Sequence, residues 1–72
     1  MDDVRSQFAT NLRIRRQQAG LSQEALADAC NLHRTEISLL ERRKRSPRLE
    51  TIVILSRGLG LSSAGELLEG IR

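Results

Sequence analysis

Apolar residues recur along this chain at intervals of three and four, and nowhere do they alternate with polar ones over the length of a strand. That spacing lines them up on one side of an α-helix, so the fold is restricted to packed helices. Val4, Phe8, Leu12 and Ala19 form one stripe of a first helix, which Gly20 can end in a left-handed turn. Ser22 reads as the N-cap of a second helix over about residues 23–30, with Glu24 in the first turn, where the helix dipole favours an acid. Leu26, Ala27 and Cys30 supply its buried side. Asparagine tolerates positive φ better than any residue but glycine, so Asn31 can make a tight turn into a third helix at about 34–42. Ser46-Pro47 suggests the cap and first turn of a fourth helix, with Ile52, Leu55 and Leu59 inward and Gly60 as its stop. A short last helix near residues 63–69 offers Leu67 and Leu68. The expected fold is all-α, five short helices around one core, in a single domain spanning residues 1–72.

A chain of 72 residues is close to the lower size at which one core suffices. Its lone cysteine, Cys30, excludes a disulfide framework, and no Cys/His set has the spacing to hold zinc. The core must come from helix packing or be completed by a partner subunit. The longest apolar run is Ile52–Leu55 and the opening Met1-Asp2-Asp3 is acidic, so neither a signal peptide nor a membrane span is expected. An unpaired cysteine and no export signal fit a reducing cytoplasm. With one histidine, one cysteine and no glycine-rich phosphate loop, there is no catalytic constellation. No cofactor, metal or small-molecule ligand is implied.

The net charge of +3 is modest, but it is concentrated: five of the seven residues from Arg42 to Arg48 are basic. Arginine, the side chain that forks onto phosphates and guanine edges, dominates the cations. At about 100° per residue the third helix divides cleanly. Ile37, Leu40 and Glu41 share one side, and Arg34, Thr35, Ser38, Leu39 and Arg42 cover the other. A carboxylate on an apolar side is costly unless paired. Arg15 and Arg16 flank the stripe of the first helix, and the helical wheel does not choose between them as partner for Glu41.

Two short helices joined at Asn31-Leu32-His33, the second polar outside, make a helix-turn-helix. The text around it, GLSQEALADACNLHRTEISLLERRKRSPRLETIVILSRGLGLS, resembles the phage-repressor-like (XRE, Cro/repressor) family. The resemblance spans about residues 8–70. Its marks are Gly20-Leu21-Ser22-Gln23, Leu26-Ala27, Ile37-Ser38, Leu40-Glu41-Arg42, Pro47, Leu49-Glu50-Thr51 and Leu59-Gly60-Leu61-Ser62. Within the family, Leu32-His33-Arg34-Thr35 with Ile37-Ser38 looks most like the small controller proteins of restriction–modification systems. The chain departs from the family at His33, where a small capping residue is usual, and at Asn31 and Arg43, where glycine is common. Glu36 stands where a tyrosine or small polar residue is common.

The resemblance implies a transcriptional regulator that binds double-stranded DNA. It matches Gln23 to a phosphate contact, Arg34, Thr35 and Leu39 to base-reading positions, and Lys44 and Arg45 to the loop that grips the backbone. Ser38 lies on the same outward face. Arg42, Arg43 and Arg48 extend the cationic run, which reads as a phosphate grip or, alternatively, as a solvated surface. The resemblance also selects Arg16 as the partner of Glu41.

Arg34 can fork onto guanine O6 and N7 or simply bind phosphate. Thr35 suits a thymine methyl, a phosphate or plain solvent. Leu39 suits a thymine methyl or the edge of the core. Glu36 either accepts from cytosine N4 or, as the preferred reading, closes a capping box on the His33 backbone N–H.

Family members usually bind operators as two-fold dimers. The apolar C-terminal set Leu61, Leu67, Leu68 and Ile71 is the preferred dimer interface, with Ile14 and Ile54 off their helices' core faces. The alternative in another class is a protein-binding module, an antitoxin or coactivator using the same fold.

Overall fold

The computed structural model describes residues 3–72; Met1 and Asp2, the start of the acidic opening, lie outside the described residues. Four α-helices follow in order, α1 (Val4–Gln18), α2 (Gln23–Cys30), α3 (Arg34–Glu41) and α4 (Leu49–Gly58). The fifth expected helix is instead a 3-10 turn, Ala64–Leu68. No strand occurs among the described residues. Two helix starts use side-chain caps. Asp3 accepts the Ser6 N–H at 2.8 Å ahead of α1, and that bond holds its carboxyl below the ordinary carboxylate value. Ser22 accepts the Ala25 N–H at 3.0 Å ahead of α2.

All four helices end by the same device. A residue at positive φ follows each of them, at Gly20, Asn31, Arg43 and Gly60. The next backbone N–H then reaches back to a carbonyl five residues earlier, Leu21 to Arg16, Leu32 to Ala27, Lys44 to Leu39 and Leu61 to Ser56, at 2.8–3.1 Å. These bonds satisfy carbonyls that a helix end would otherwise leave open. Three of the four positions carry glycine or asparagine, as the left-handed region favours. Arg43, at φ 63, does not.

Phe8, Leu12, Leu26, Ile37, Leu40, Leu55 and Leu67 are fully buried in one cluster, with Ala27, Cys30 and Ile52 beside them. Two expected members are missing. Val4 is exposed because it lies in the first turn, beyond the edge of the core, and Ala19 is exposed because it caps the end of α1 rather than continuing its stripe. Ala9, next to Phe8, is buried instead.

The fourth helix also begins later than Ser46-Pro47 suggests. Pro47 keeps the preceding residue extended, and the first helical bond runs from the Ile52 N–H to the Arg48 carbonyl at 3.0 Å. Arg48, with no side-chain bond, is therefore the cap.

Where α4 crosses α2, Gly58 faces the Cys30 thiol, which donates weakly to the Ile54 carbonyl at 3.7 Å. A β-carbon at position 58 would sit well inside van der Waals contact with that sulfur. Alanine would add up to about 1 kcal/mol of helix propensity. Overpacking costs about 1–3 kcal/mol, so Gly58→Ala is expected to destabilise the fold. Adding Cys30→Ala should restore stability, and thermal melts of the single and double variants check the pair. Burial also pushes the Cys30 thiol up, keeping it protonated at neutral pH.

Candidate nucleic-acid interface

Alpha-2 and α3 meet at the left-handed Asn31 (φ 56, ψ 41), which turns the chain within three residues. Leu32 packs on the core below the corner and His33 opens α3 in an extended conformation. His33 makes no side-chain cap, so its imidazole satisfies none of the first-turn N–H donors of α3. Ile37, Leu40 and Glu41 are buried, which fixes the rotation of α3 on the core. The opposite side is left uncovered. Arg34, Thr35 and Arg42 are exposed and Ser38 and Leu39 are half-buried. Leu39 lines an open groove with Thr35, Glu36, Arg45 and Arg48, so it belongs to the rim and not to the core.

Behind α3, Arg43 at positive φ turns the chain. Arg42, Arg43, Lys44 and Arg45 are all exposed; Arg45 and Arg48 line the groove with Leu39, and Arg43 lies instead beside Ala9, Thr10 and Arg13 of α1. The charge run is thus divided by the backbone turn: Arg45 and Arg48 border the outward face of α3, while Arg43 sits toward α1.

Glu36 does not close the expected capping box. Its backbone N–H bonds to the His33 carbonyl at 2.9 Å, but its carboxylate pairs with the Arg45 guanidinium. The reason is electrostatic: a full cation within reach outbids one backbone N–H for a carboxylate. Sequence spacing does not reveal this pair, because the partner sits beyond the end of the helix.

Beneath the face, the Glu41 carboxylate is almost fully buried and receives Arg16 through two bonds, Nε to Oε2 at 2.7 Å and a terminal nitrogen to Oε1 at 3.0 Å. Of the two arginines flanking the first stripe, Arg16 is therefore the partner. Arg15 instead approaches Glu66 and Glu69 at 3.6 and 3.7 Å. Arg16 also donates to the Leu21 carbonyl at 2.9 Å, and its hydrogen bonds to Glu41 raise its pKa above the ordinary arginine value. Gln23 donates to Glu41 Oε1 at 3.1 Å, so part of its amide is committed inside the protein. Arg13 joins from α1, its Nε 3.7 Å from the carboxylate and a terminal nitrogen 3.4 Å from the Glu41 carbonyl. The signal for Arg13 lay in its spacing: residues three apart on a helix share a face, and Arg13 precedes Arg16 by three. One carboxylate thus ties α1, the start of α2 and the buried side of α3 together.

The C-terminal apolar set divides. Leu67, expected at an interface, is fully buried in this chain's own core. Asn11 holds it there by donating to the Leu67 and Glu69 carbonyls at 2.9 and 2.8 Å, which draws the 3-10 turn onto α1. Leu61 and Ile71 pack partly on the core, and Leu68, 37% exposed, faces out. Ile14 and Ile54 are also exposed.

A short helix, a left-handed corner and a second helix with a buried apolar side and an open polar one define a helix-turn-helix protein. A helix-turn-helix family model matches residues 12–66, and the chain belongs to that family, one of DNA-binding transcriptional regulators and not of enzymes. Control protein C.SmaI of Serratia marcescens is 42% identical over 60 residues, 83% of this chain and 71% of that protein. The crystal structure of a hypothetical transcription factor from Neisseria aligns with a TM-score of 0.86 at 39% identity, over 92% of this chain and 75% of that one. The restriction–modification controller protein C.AhdI from Aeromonas hydrophila aligns at 0.83 and 35% identity, over 88% of this chain and 94% of that one. No described helix is long and apolar enough to cross a membrane.

Proposed function

We propose that this protein is a sequence-specific regulator that occupies an operator as a homodimer, with α3 of each protomer in the major groove. The observation that carries this reading is the uncovered outer face of α3, bordered by the exposed cations of Arg45 and Arg48. Its eight residues make a helix about 12 Å long, commensurate with a major groove about 12 Å wide. Arg34 forks onto a guanine edge, and Thr35 and Leu39 meet thymine methyls. Ser38, Arg42, Arg43, Lys44, Arg45 and Arg48 contact phosphates, as does the N–H of Gln23 that Glu41 leaves free. Leu68, with Leu61 and Ile71 at its edges, supplies the dimer contact. The dimer spaces two half-sites about 34 Å apart. The kinship with restriction–modification control proteins supports the same role here.

Enrichment of bound duplexes from a random pool tests this directly. A two-fold symmetric winner with half-sites one turn apart is expected. A single asymmetric site would remove the homodimer, and failure to enrich any duplex would remove DNA as the ligand. On the winner, Arg34→Ala is expected to cost about 1–3 kcal/mol and to relax discrimination at one base pair per half-site. Lys44→Ala should instead weaken all sequences alike and flatten the dependence of log K on log salt by about 0.9 for each phosphate left without its cation. Binding titrations against single-base variants of the winner, repeated across salt concentrations, separate the two effects. Equal losses on every variant for Arg34→Ala would make it a phosphate contact.

A further inference from the structure

Among the residues lining the groove at α3, Glu36 is the sole acid, and its carboxylate is already engaged by Arg45. The pair does not hold the fold together. Both side chains reach water, Arg45 at 51% and Glu36 at 22% exposure. The end of α3 is closed without it, by backbone bonds from Arg43 and Lys44 to the Leu40 and Leu39 carbonyls. Its consequence is electrostatic. Duplex DNA presents a negative charge about every 1.7 Å. A bare carboxylate on this face would oppose docking, and a paired one cancels a cation that would otherwise hold phosphate.

We propose that the Glu36–Arg45 pair is a specificity device: Glu36 withholds Arg45 from the phosphates of arbitrary DNA and releases it when a cytosine amino group at the cognate site takes the carboxylate. The inference rests on α3 reading DNA as proposed above. Cytosine N4 is the major-groove donor that a glutamate matches. Adenine N6 also donates, but beside the N7 acceptor that repels a carboxylate, and guanine and thymine show only acceptors there and leave the pair closed. Wrong sequences are therefore refused a phosphate contact that the right one receives. Discrimination arises from what is denied as much as from what is gained.

The test is a double-mutant cycle on the full chain with Glu36→Ala, Arg45→Gln and the double variant. Affinity and salt slope are measured on the selected duplex and on a scrambled one of the same length, with melting curves checking that each variant folds. Glu36→Ala should raise affinity for the scrambled duplex about eightfold at 0.1 M salt and steepen its slope by about 0.9, the increment of one phosphate over one decade of salt. In the Arg45→Gln background that gain should vanish. On the selected duplex, one cytosine should exist whose change to thymine weakens the wild type but not Glu36→Ala. The same gain in both backgrounds would mean that removal of a negative charge is the whole effect. That result, no gain at all, or no such cytosine overturns the proposal. If the wild type prefers no duplex, the DNA reading itself falls; if it does prefer one and the cycle is additive, only this inference falls.

Discussion

Glu41→Ala is expected to lower the melting temperature more than any single change on the DNA-facing surface, although Glu41 touches no DNA in the proposed complex. Its side chain is 1% exposed and that of Arg16 is 14% exposed, so truncating the acid strands a guanidinium in a site nearly closed to water. Breaking one half of such a pair typically costs about 3–5 kcal/mol. In a domain of this size each kcal/mol shifts melting by about 4–8 °C, so the drop is roughly 12–40 °C and can unfold the protein at working temperature. Arg13 and Gln23 lose a partner too, but Arg13 is 53% exposed and is resolvated at little cost. The cost is therefore concentrated in Arg16. Replacing both partners, Arg16→Met with Glu41→Leu, should recover most of the loss, because an apolar pair leaves no charge unanswered. Below the midpoint of the single variant, its DNA affinity should stay near that of the wild type. A melting temperature equal to wild type would show that the buried pair does not join α1 to α3.

The rotation of α3 was legible because Ile37, Leu40 and Glu41 recur at helical spacing, so the face that remained had to be Arg34, Thr35, Ser38, Leu39 and Arg42. The ends of three helices were legible because Gly20, Asn31 and Gly60 are the residues that enter the left-handed region cheaply. Arg43 carries no such mark. Its conformation follows from the backbone bonds that close α3, and only the glycine common at that position in similar proteins hinted at it. The Glu36–Arg45 pair was hidden for a different reason: spacing rules describe neighbours within one helix, and this contact crosses the turn after it. The Arg16–Glu41 pair spans 25 residues. Spacing narrowed its partner to Arg15 or Arg16 without separating them, since both flank the same stripe.

The C-terminal leucines show where burial and interface diverge, and they give the second large effect. Leu67 and Leu68 are adjacent in sequence but have opposite environments, 0% and 37% exposed. A five-residue 3-10 turn repeats every three residues, so the rule that sorts faces in an α-helix does not sort these two. Leu67→Ala should remove about 2–5 kcal/mol of stability, the usual range for a fully buried leucine whose cavity cannot collapse. Asn11 makes collapse harder by pinning the Leu67 and Glu69 carbonyls to α1. This loss belongs to the protomer, so denaturant titrations at low and high protein concentration should give the same difference from wild type. Leu68→Ala should do the reverse: little change in the protomer, but weaker assembly of the proposed dimer, seen as a concentration-dependent shift in sedimentation. A Leu67→Ala deficit that disappeared at high protein concentration would move Leu67 from the core to the subunit boundary. The hold of the 3-10 turn on α1 would then depend on the second copy.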